Sequence, residues 1–266
     1  MRGPKKPKWV VEKEQAKRAA ASATVWLFGL HAVRDALANP RRKLHRLIVT
    51  QNALNRLGGV VQEAGVQTEI VDPRKFTAPI DQGSVHQGAA LEVGPLDWGN
   101  MQEICASAPG EPSLVVVLDR VSDPHNVGAI LRSAEVFGAK AVIAPARHAA
   151  PETGALAKTA SGALERQPYL RVKNLGDSIE TLKSMGYFVI GFAGEADDPL
   201  DAVLGNLPKG PVALVLGAEG PGLRERTRGL CDRLARIEFA GEFGSLNVSN
   251  AAAVGLYAAR STLTRD

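Results

Sequence analysis

A chain of 266 residues with 45% hydrophobic and 23% charged side chains has the make-up of an ordinary globular protein, long enough for two domains. No apolar run reaches the roughly 18–20 residues of a membrane span, and no apolar core follows the basic start, which argues against secretion and for the cytoplasm. Cys105 and Cys231 stand alone, with no Cys-x-x-Cys or Cys/His cluster, which argues against a zinc site.

The net charge of +4 is unevenly placed. Between Met1 and Ala20 lie seven basic residues and two acids, a charge of +5 that leaves −1 for the remainder. A basic, proline-containing arm on a near-neutral body suits a polyanionic partner. A solvated tail without a partner has the same composition. Residues 1–24 show no apolar periodicity, which predicts a disordered arm.

Order is expected from Val25-Trp26-Leu27-Phe28-Gly29 onward. A helix over Leu30–Ala38 is stopped by Asn39-Pro40, and a strand follows at Leu44–Thr50. A helix over Ala53–Ala64 and strands at Gln67–Val71 and Gln87–Val93 complete a small α/β domain over residues 25–93. Residues 94–112 read as a linker, with Gly94-Pro95 and Ala108-Pro109-Gly110-Glu111-Pro112 as turn signals. The second domain, 113–266, opens with Ser113-Leu114-Val115-Val116-Val117-Leu118, a run that suits a strand buried on both faces of a parallel sheet. Helices at Asn126–Phe137, Glu152–Leu164, Leu175–Met185 and Leu223–Cys231 then alternate with strands at Ala141–Ala144, Tyr169–Val172, Tyr187–Phe192, Pro211–Leu216 and Ala235–Phe239. Alternation of this kind implies an open α/β sheet with helices on both sides. The last helix is rich in small residues (Ala251, Ala252, Ala253, Gly255), which let another backbone approach.

Three stretches carry chemistry. In Asp123-Pro124-His125-Asn126-Val127-Gly128-Ala129-Ile130-Leu131-Arg132, a turn opens a helix with Asn126 where a cap is wanted. Arg132 falls among apolar neighbours and calls for an anionic or polar partner. In Leu216-Gly217-Ala218-Glu219-Gly220-Pro221-Gly222, a strand runs into a loop with three glycines and one acid. It meets neither the dinucleotide fingerprint nor the P-loop pattern. In Ser245-Leu246-Asn247-Val248-Ser249, Asn247 or Ser249 can cap the final helix. A strand, a loop and a helix N-terminus together make a natural ligand site.

Taken together, Asp123-Pro124-x-Asn126-x-Gly128-x-x-x-Arg132-x-Ala134, Leu216-Gly217-x-Glu219-Gly220-x-Gly222 and Ser245-Leu246-Asn247-Val248-Ser249 resemble the signature motifs of the SpoU/TrmH RNA 2′-O-ribose methyltransferases, of the SPOUT superfamily. Trp26 to Val33 and His86-Gln87-Gly88 resemble the ends of that family's L30e-like RNA-binding domain. The resemblance implies an N-terminal L30e-like domain and a catalytic α/β-knot domain with a mostly parallel sheet, whose C-terminal chain threads a trefoil knot. It implies S-adenosylmethionine as methyl donor, bound by Leu216, Gly217, Gly220, Ile237 and Leu246 largely through backbone groups. It places Arg132 beside the target 2′-OH. The resemblance implies Arg132 as the general base; because a guanidinium is essentially never neutral in proteins, the alternatives are that it stabilises the developing alkoxide or grips the adjacent phosphate.

Asn126 then orients Arg132 or the ribose, Glu219 orders the loop or the substrate, and Asn247 and Ser249 bind the substrate backbone or cap the helix. His125 ranks below Arg132, and His31, His45, His86 and His148 read as packing or RNA-facing residues. The implied partners are RNA, 23S rRNA first and tRNA as the alternative, and a second copy of the chain in a homodimer. A non-catalytic RNA-binding or ribosome-assembly protein is the rival reading, and retention of Asn126, Arg132, Glu219, Asn247 and Ser249 argues against it. Two departures stand out: Ile237-Glu238-Phe239 where Ile-Pro-Met is common, and Asn250 where a small residue is usual. Both fall where the cofactor rim or the dimer contact is expected.

Seven cations in the arm can neutralise phosphates and release counterions without reading sequence. Deleting Met1–Ala20 is expected to weaken RNA binding and flatten its salt dependence, with the methylated position unchanged. RNA affinity unaltered across a salt titration would make the arm passive.

Overall fold

The computed structural model describes residues 24–80, 83–108, 111–240 and 246–264. The basic arm up to residue 23 and Ser245 of the third motif lie outside the described residues. The chain forms two compact units: residues up to Asp97 together with Glu152–Gly154, and Trp98–Pro151 together with Ala155 onward.

In the first unit the elements are β1 (Val25–Phe28), α1 (Leu30–Ala38), β2 (Leu44–Val49), α2 (Gln51–Leu57), α3 (Val60–Ala64), β3 (Gln67–Ile70) and β4 (Ala89–Val93). The sheet order is β1-β4-β2-β3. β4 runs antiparallel to β1 and β2, and β3 runs parallel to β2. α1 buries Leu30, Val33 and Leu37 with Ala32 and Ala36, the stripe that its period demands. Gly29 offers α1 no capping side chain, and Gln87 Oε1 accepts the Leu30 N–H at 3.0 Å instead. The His86-Gln87-Gly88 stretch therefore closes this unit on itself. The helix expected over Ala53–Ala64 is two helices. Gly58 ends α2 at φ 67°, with its N–H on the Leu54 carbonyl.

In the second unit come α4 (Met101–Ile104), β5 (Leu114–Asp119), α5 (Pro124–Val136), β6 (Ala139–Pro145), α6 (Gly154–Ala160), β7 (Tyr169–Val172), α7 (Leu175–Ser184), β8 (Phe188–Phe192), α8 (Leu200–Gly205), β9 (Val212–Gly217), α9 (Glu225–Leu230), β10 (Arg233–Ala235) and α10 (Val248–Leu263). The six-stranded sheet, order β10-β8-β9-β5-β6-β7, is parallel throughout. β5 is buried along its whole length, as its unbroken apolar run requires. Val115, Val117, Ile143, Ile179, Leu182, Val189 and Val215 form the core. From β5 the chain winds outward through β6 and β7, then returns at β8 to the other side of β9. The strand order thus reverses beside β5 and β9, where open α/β sheets form a crevice at the carboxyl ends of their strands.

Four local differences from expectation have physical causes. α5 begins at Pro124 because Asp123 caps it, accepting the His125 N–H at 3.0 Å, and proline suits the first helical position. Asn126 is therefore inside the first turn and is not the cap. The segment expected as a helix over Glu152–Leu164 is α6 followed by a 3₁₀ turn at Ala163–Glu165, divided at Ser161-Gly162. The strand expected at Ala235–Phe239 ends at Ala235. Arg236 is drawn into a bridge with Pro199, its N–H on the Asp198 carbonyl and its own carbonyl on Leu200 N. α8 was unforeseen, because six residues after Pro199 are too few for an apolar period to declare itself.

Gly128 of α5 faces α6, where an added Cβ would lie 2.8 Å from the Leu156 carbonyl oxygen and 2.8 Å from Thr159 Cβ. Gly128→Val is expected to cost about 1–3 kcal/mol through overpacking, seen as a lower urea midpoint. A midpoint unchanged or raised would show that the helices yield.

Candidate active site

β5 ends in Asp119, a fully buried carboxylate. Its Oδ1 accepts the Arg224 Nε–H at 2.7 Å and its Oδ2 accepts the Arg224 backbone N–H at 3.0 Å. These bonds anchor the far end of the loop that leaves β9. They also delay the helix expected from Leu223 until Glu225. The near end is set by glycine: a Cβ on Gly217 would lie 2.1 Å from the Gly222 carbonyl carbon. Ala218 and Gly222 pair across the loop, and Gly220 and Gly222 turn it at φ 82° and 66°.

Beside this loop, at the carboxyl ends of β8, β9 and β10, lies a cavity of about 420 Å³, within the range of small-molecule sites. Leu216, Gly217, Gly220, Ile237 and Leu246 all line it, so the structure brings together every residue expected to hold the cofactor. Phe239, one of the departures from the family pattern, lines it too. Residues 237–239 reach the cavity because β10 has already ended. The wall also carries the ion pair of Glu195 with Arg228. The Arg228 guanidinium holds the Glu195 carboxyl below the usual carboxylate range, so it is anionic at neutral pH.

Next to the cavity, three distant stretches meet on one oxygen. Glu219 Oε1 accepts Asn126 Nδ2–H at 3.1 Å, Asn247 Nδ2–H at 2.5 Å and the Val248 backbone N–H at 3.4 Å. Asn247 Nδ2 also donates to Asn126 Oδ1 at 3.1 Å. Asn247 Oδ1 caps α10, accepting the Ser249 N–H at 2.9 Å and the Ser249 Oγ–H at 2.5 Å. Asn247 is thus the cap of α10, and Ser249 leans on it. An acid is at home here, because it lies against the N-terminal turns of α5 and α10, where backbone N–H groups lack helical partners. Among the described residues, Glu219 Oε2 receives no donor, which leaves an acceptor facing outward.

Arg132 stays outside this cluster. It is exposed on α5, and among the described residues no acceptor lies within hydrogen-bond distance of its guanidinium. Asn126 therefore orients Glu219 and Asn247, and makes no bond to Arg132. His125 Nδ1 pairs with Thr159 Oγ1 at 3.1 Å. Burial pushes both thiols, Cys105 and Cys231, up to about 11, so neither is a nucleophile near neutral pH. Among the described residues no group of three or more His, Cys, Asp or Glu is placed to hold a metal, and no helix is long and apolar enough to cross a membrane.

The model of the SpoU rRNA methylase family matches residues 113–257, more than half of the chain. The chain belongs to the SpoU rRNA methylase family. A second family model, RNA 2′-O ribose methyltransferase substrate binding, matches residues 26–98. The 23S rRNA (guanosine-2′-O-)-methyltransferase RlmB of Pseudomonas aeruginosa is 38% identical over 236 residues, spanning 87% of this chain and 94% of the relative. The RlmB of Ralstonia nicotianae is 39% identical over 238 residues, spanning 88% and 94%. The crystal structure of the SpoU methyltransferase AviRb from Streptomyces viridochromogenes, in complex with the cofactor AdoMet, shares the fold with a TM-score of 0.76 at 22% identity, covering 91% of each chain.

Asp119 and Arg224 lie outside the three motifs. The available signal was an aspartate closing an otherwise apolar, fully buried strand, a position that demands a partner. Asp119→Ala is expected to free the 218–224 loop, costing about 1–3 kcal/mol for the lost bonds to a charged group. Limited trypsinolysis after Arg224 should accelerate in the variant. An unchanged cleavage rate would deny Asp119 the anchoring role.

Proposed function

We propose that this protein transfers a methyl group from S-adenosylmethionine to the ribose 2′-OH of a guanosine in 23S rRNA. The observation that carries the reading is the meeting of Asn126, Asn247 and Glu219 on one hydrogen-bond cluster, beside a cavity walled by glycine backbone. The cavity fits the cofactor: Gly217, Gly220 and Gly222 leave main chain along one wall, and Phe192, Ile237, Phe239 and Leu246 line it with apolar groups. Support comes also from the RlmB relatives, which match nearly their whole length, and from the AdoMet-bound neighbour of the same fold.

When bound, S-adenosylmethionine supplies a methyl group on a sulfonium leaving group. What remains for the protein is to hold the ribose in line and stabilise the oxygen that attacks. Arg132, with its donors uncommitted among the described residues, stabilises the 2′-oxygen as negative charge develops. Glu219, held by three donors on one oxygen, presents the other to the substrate. Asn126 and Asn247 keep that carboxylate aimed, and Ser249 steadies Asn247. The first unit serves as the RNA-holding domain, in the cytoplasm where ribosomal RNA is modified.

The protein acts as a homodimer through α5 and α10. These helices pack together, and on them Val136, Val254 and Tyr257 are 71%, 43% and 64% exposed. Tyr257 also meets Phe137 edge-on, with ring centroids 6.1 Å apart. Two-fold pairing is the common solution for such a face.

Arg132→Ala is expected to abolish methyl transfer and to leave S-adenosylmethionine affinity by calorimetry nearly unchanged. Wild-type turnover in the variant would refute the role. Mapping 2′-O-methyl groups on total RNA with and without the gene tests the substrate: loss of one 23S guanosine mark is expected, and loss of a tRNA mark would reassign it. Light scattering is expected to give a dimer mass, reduced by Tyr257→Asp. A monomer mass at every concentration would count against the pairing.

A further inference from the structure

The carboxyl edge of the parallel sheet is divided by charge. On the β8 side, around the cavity, charges of both signs meet: Glu195 of the loop after β8 pairs with Arg228, and Arg236 pairs with Glu238 at 3.2 Å and donates to the Asp197 carbonyl. On the β5–β6–β7 side the loops carry Arg120, Arg147, His148 and Lys173, with Lys158 on α6, all exposed. Among the described residues none of these five meets a carboxylate. The acids nearest in sequence are engaged elsewhere: Asp119 holds Arg224, Asp123 caps α5, Glu152 pairs with Arg42, and Asp177 pairs with Arg226.

The opposite edge behaves differently. There Lys140 meets Glu111 at 3.4 Å, Lys183 meets Asp232 at 2.7 Å, and Arg166 meets Glu135. Two cations, Lys209 before β9 and Arg233 at the start of β10, stand singly on that edge. Cations are therefore left uncompensated together on one side of one edge only.

That side is also built as a single surface. Pro145 and Val172, the last residues of β6 and β7, are in register. The loops are stitched by Ala150 N on the Val121 carbonyl at 3.4 Å and Ala146 N on the Val172 carbonyl at 2.7 Å. Arg171 donates across to the Ala146 carbonyl. Adjacent strands lie about 4.8 Å apart, so the cations after β5, β6 and β7 span roughly 10 Å. Arg120 and His148 are held at φ 65° and 63°, a conformation that non-glycine residues seldom keep and that clusters at functional sites. α5, with Asn126 in its first turn, starts four residues after Arg120.

We infer that the loops after β5, β6 and β7 form a phosphate track, which holds the RNA strand flanking the target nucleotide on the side of the Asn126–Glu219 cluster away from the cofactor cavity. This rests on the reading of the protein as an RNA methyltransferase. Charge supplies hold and orientation on this track, and base identity is read elsewhere.

The test is the salt dependence of binding to a 23S rRNA transcript by the full chain. Removing a phosphate contact makes log affinity against log salt shallower by about 0.7–0.9. Arg147→Ala and Lys173→Ala are expected each to show that change, and the double variant about twice it. Lys209→Ala and Arg233→Ala, with the same loss of charge on the opposite edge, are expected to match wild type. S-adenosylmethionine affinity should persist in all four, which shows that they fold. A double variant with the wild-type slope overturns the track, and an acidic protein as the real occupant would give that result. So would equal flattening by the opposite-edge variants. RNA binding that depends on Arg147 and Lys173, without any methyl transfer by wild type, would keep the track and overturn the catalytic reading.

Discussion

One carboxylate oxygen organises the catalytic unit. Glu219 Oε1 takes donors from a residue 93 positions away in the chain and from another 28 positions away. The donors come from the first turn of α5 and the cap of α10, so the acid ties the starts of both helices together. Two asparagines suit this position because each side-chain amide both donates and accepts. The bond between them closes the set into a ring, in which moving one member disturbs the other two.

The cluster depends in turn on the pairing of β5 with β9, at the centre of the sheet. These strands run in register up to Asp119 and Gly217, so their ends deliver Asp119, the Asp123–Asn126 turn and the glycine loop to one place. Asp119 pins the loop by Arg224, and Gly217 lets it fold back without a side chain in the way. The result is a glycine loop along one wall of the cavity, with Glu219 in it. A larger residue at Gly217 would meet main chain, which cannot swing aside as a side chain can.

A parallel sheet also sorts charge. All carboxyl ends fall on one edge, so the loops after successive strands are neighbours although their sequences are far apart. Here that edge has paired charges beside the cavity, Glu195 with Arg228 and Arg236 with Glu238, and uncompensated cations after β5, β6 and β7. The hydrogen-bond cluster lies at the border between the two. A polyanionic acceptor would find its complement on the cationic side.

Much of this protein was legible in its sequence. The β-branched apolar run at Leu114–Leu118 suits a doubly covered strand, and the alternation after it implies an α/β sheet, as found. The three motifs marked Asn126, Glu219 and Asn247 because together, and not singly, they resemble the signature of a known methyltransferase family. Other features were hidden, each for a local reason. Asn126 looked like a cap, but Asp123-Pro124 takes that position more favourably and frees the Asn126 amide for Glu219. The strand read at Ala235–Phe239 ends early because Arg236 is claimed by the chain around Pro199, a contact no periodicity reports. Asp119 passed unmarked because its partner is 105 residues away. The cationic side of the edge was invisible for the same reason: Arg120, Arg147 and Lys173 are scattered singly in sequence, and only the parallel register of β5, β6 and β7 makes them neighbours. Residue types and their spacing determined which groups this chain has to work with, because local propensity and burial act over a few residues. Which of those groups share a bond or a surface was decided by tertiary structure, because strand pairing joins positions that the sequence keeps apart.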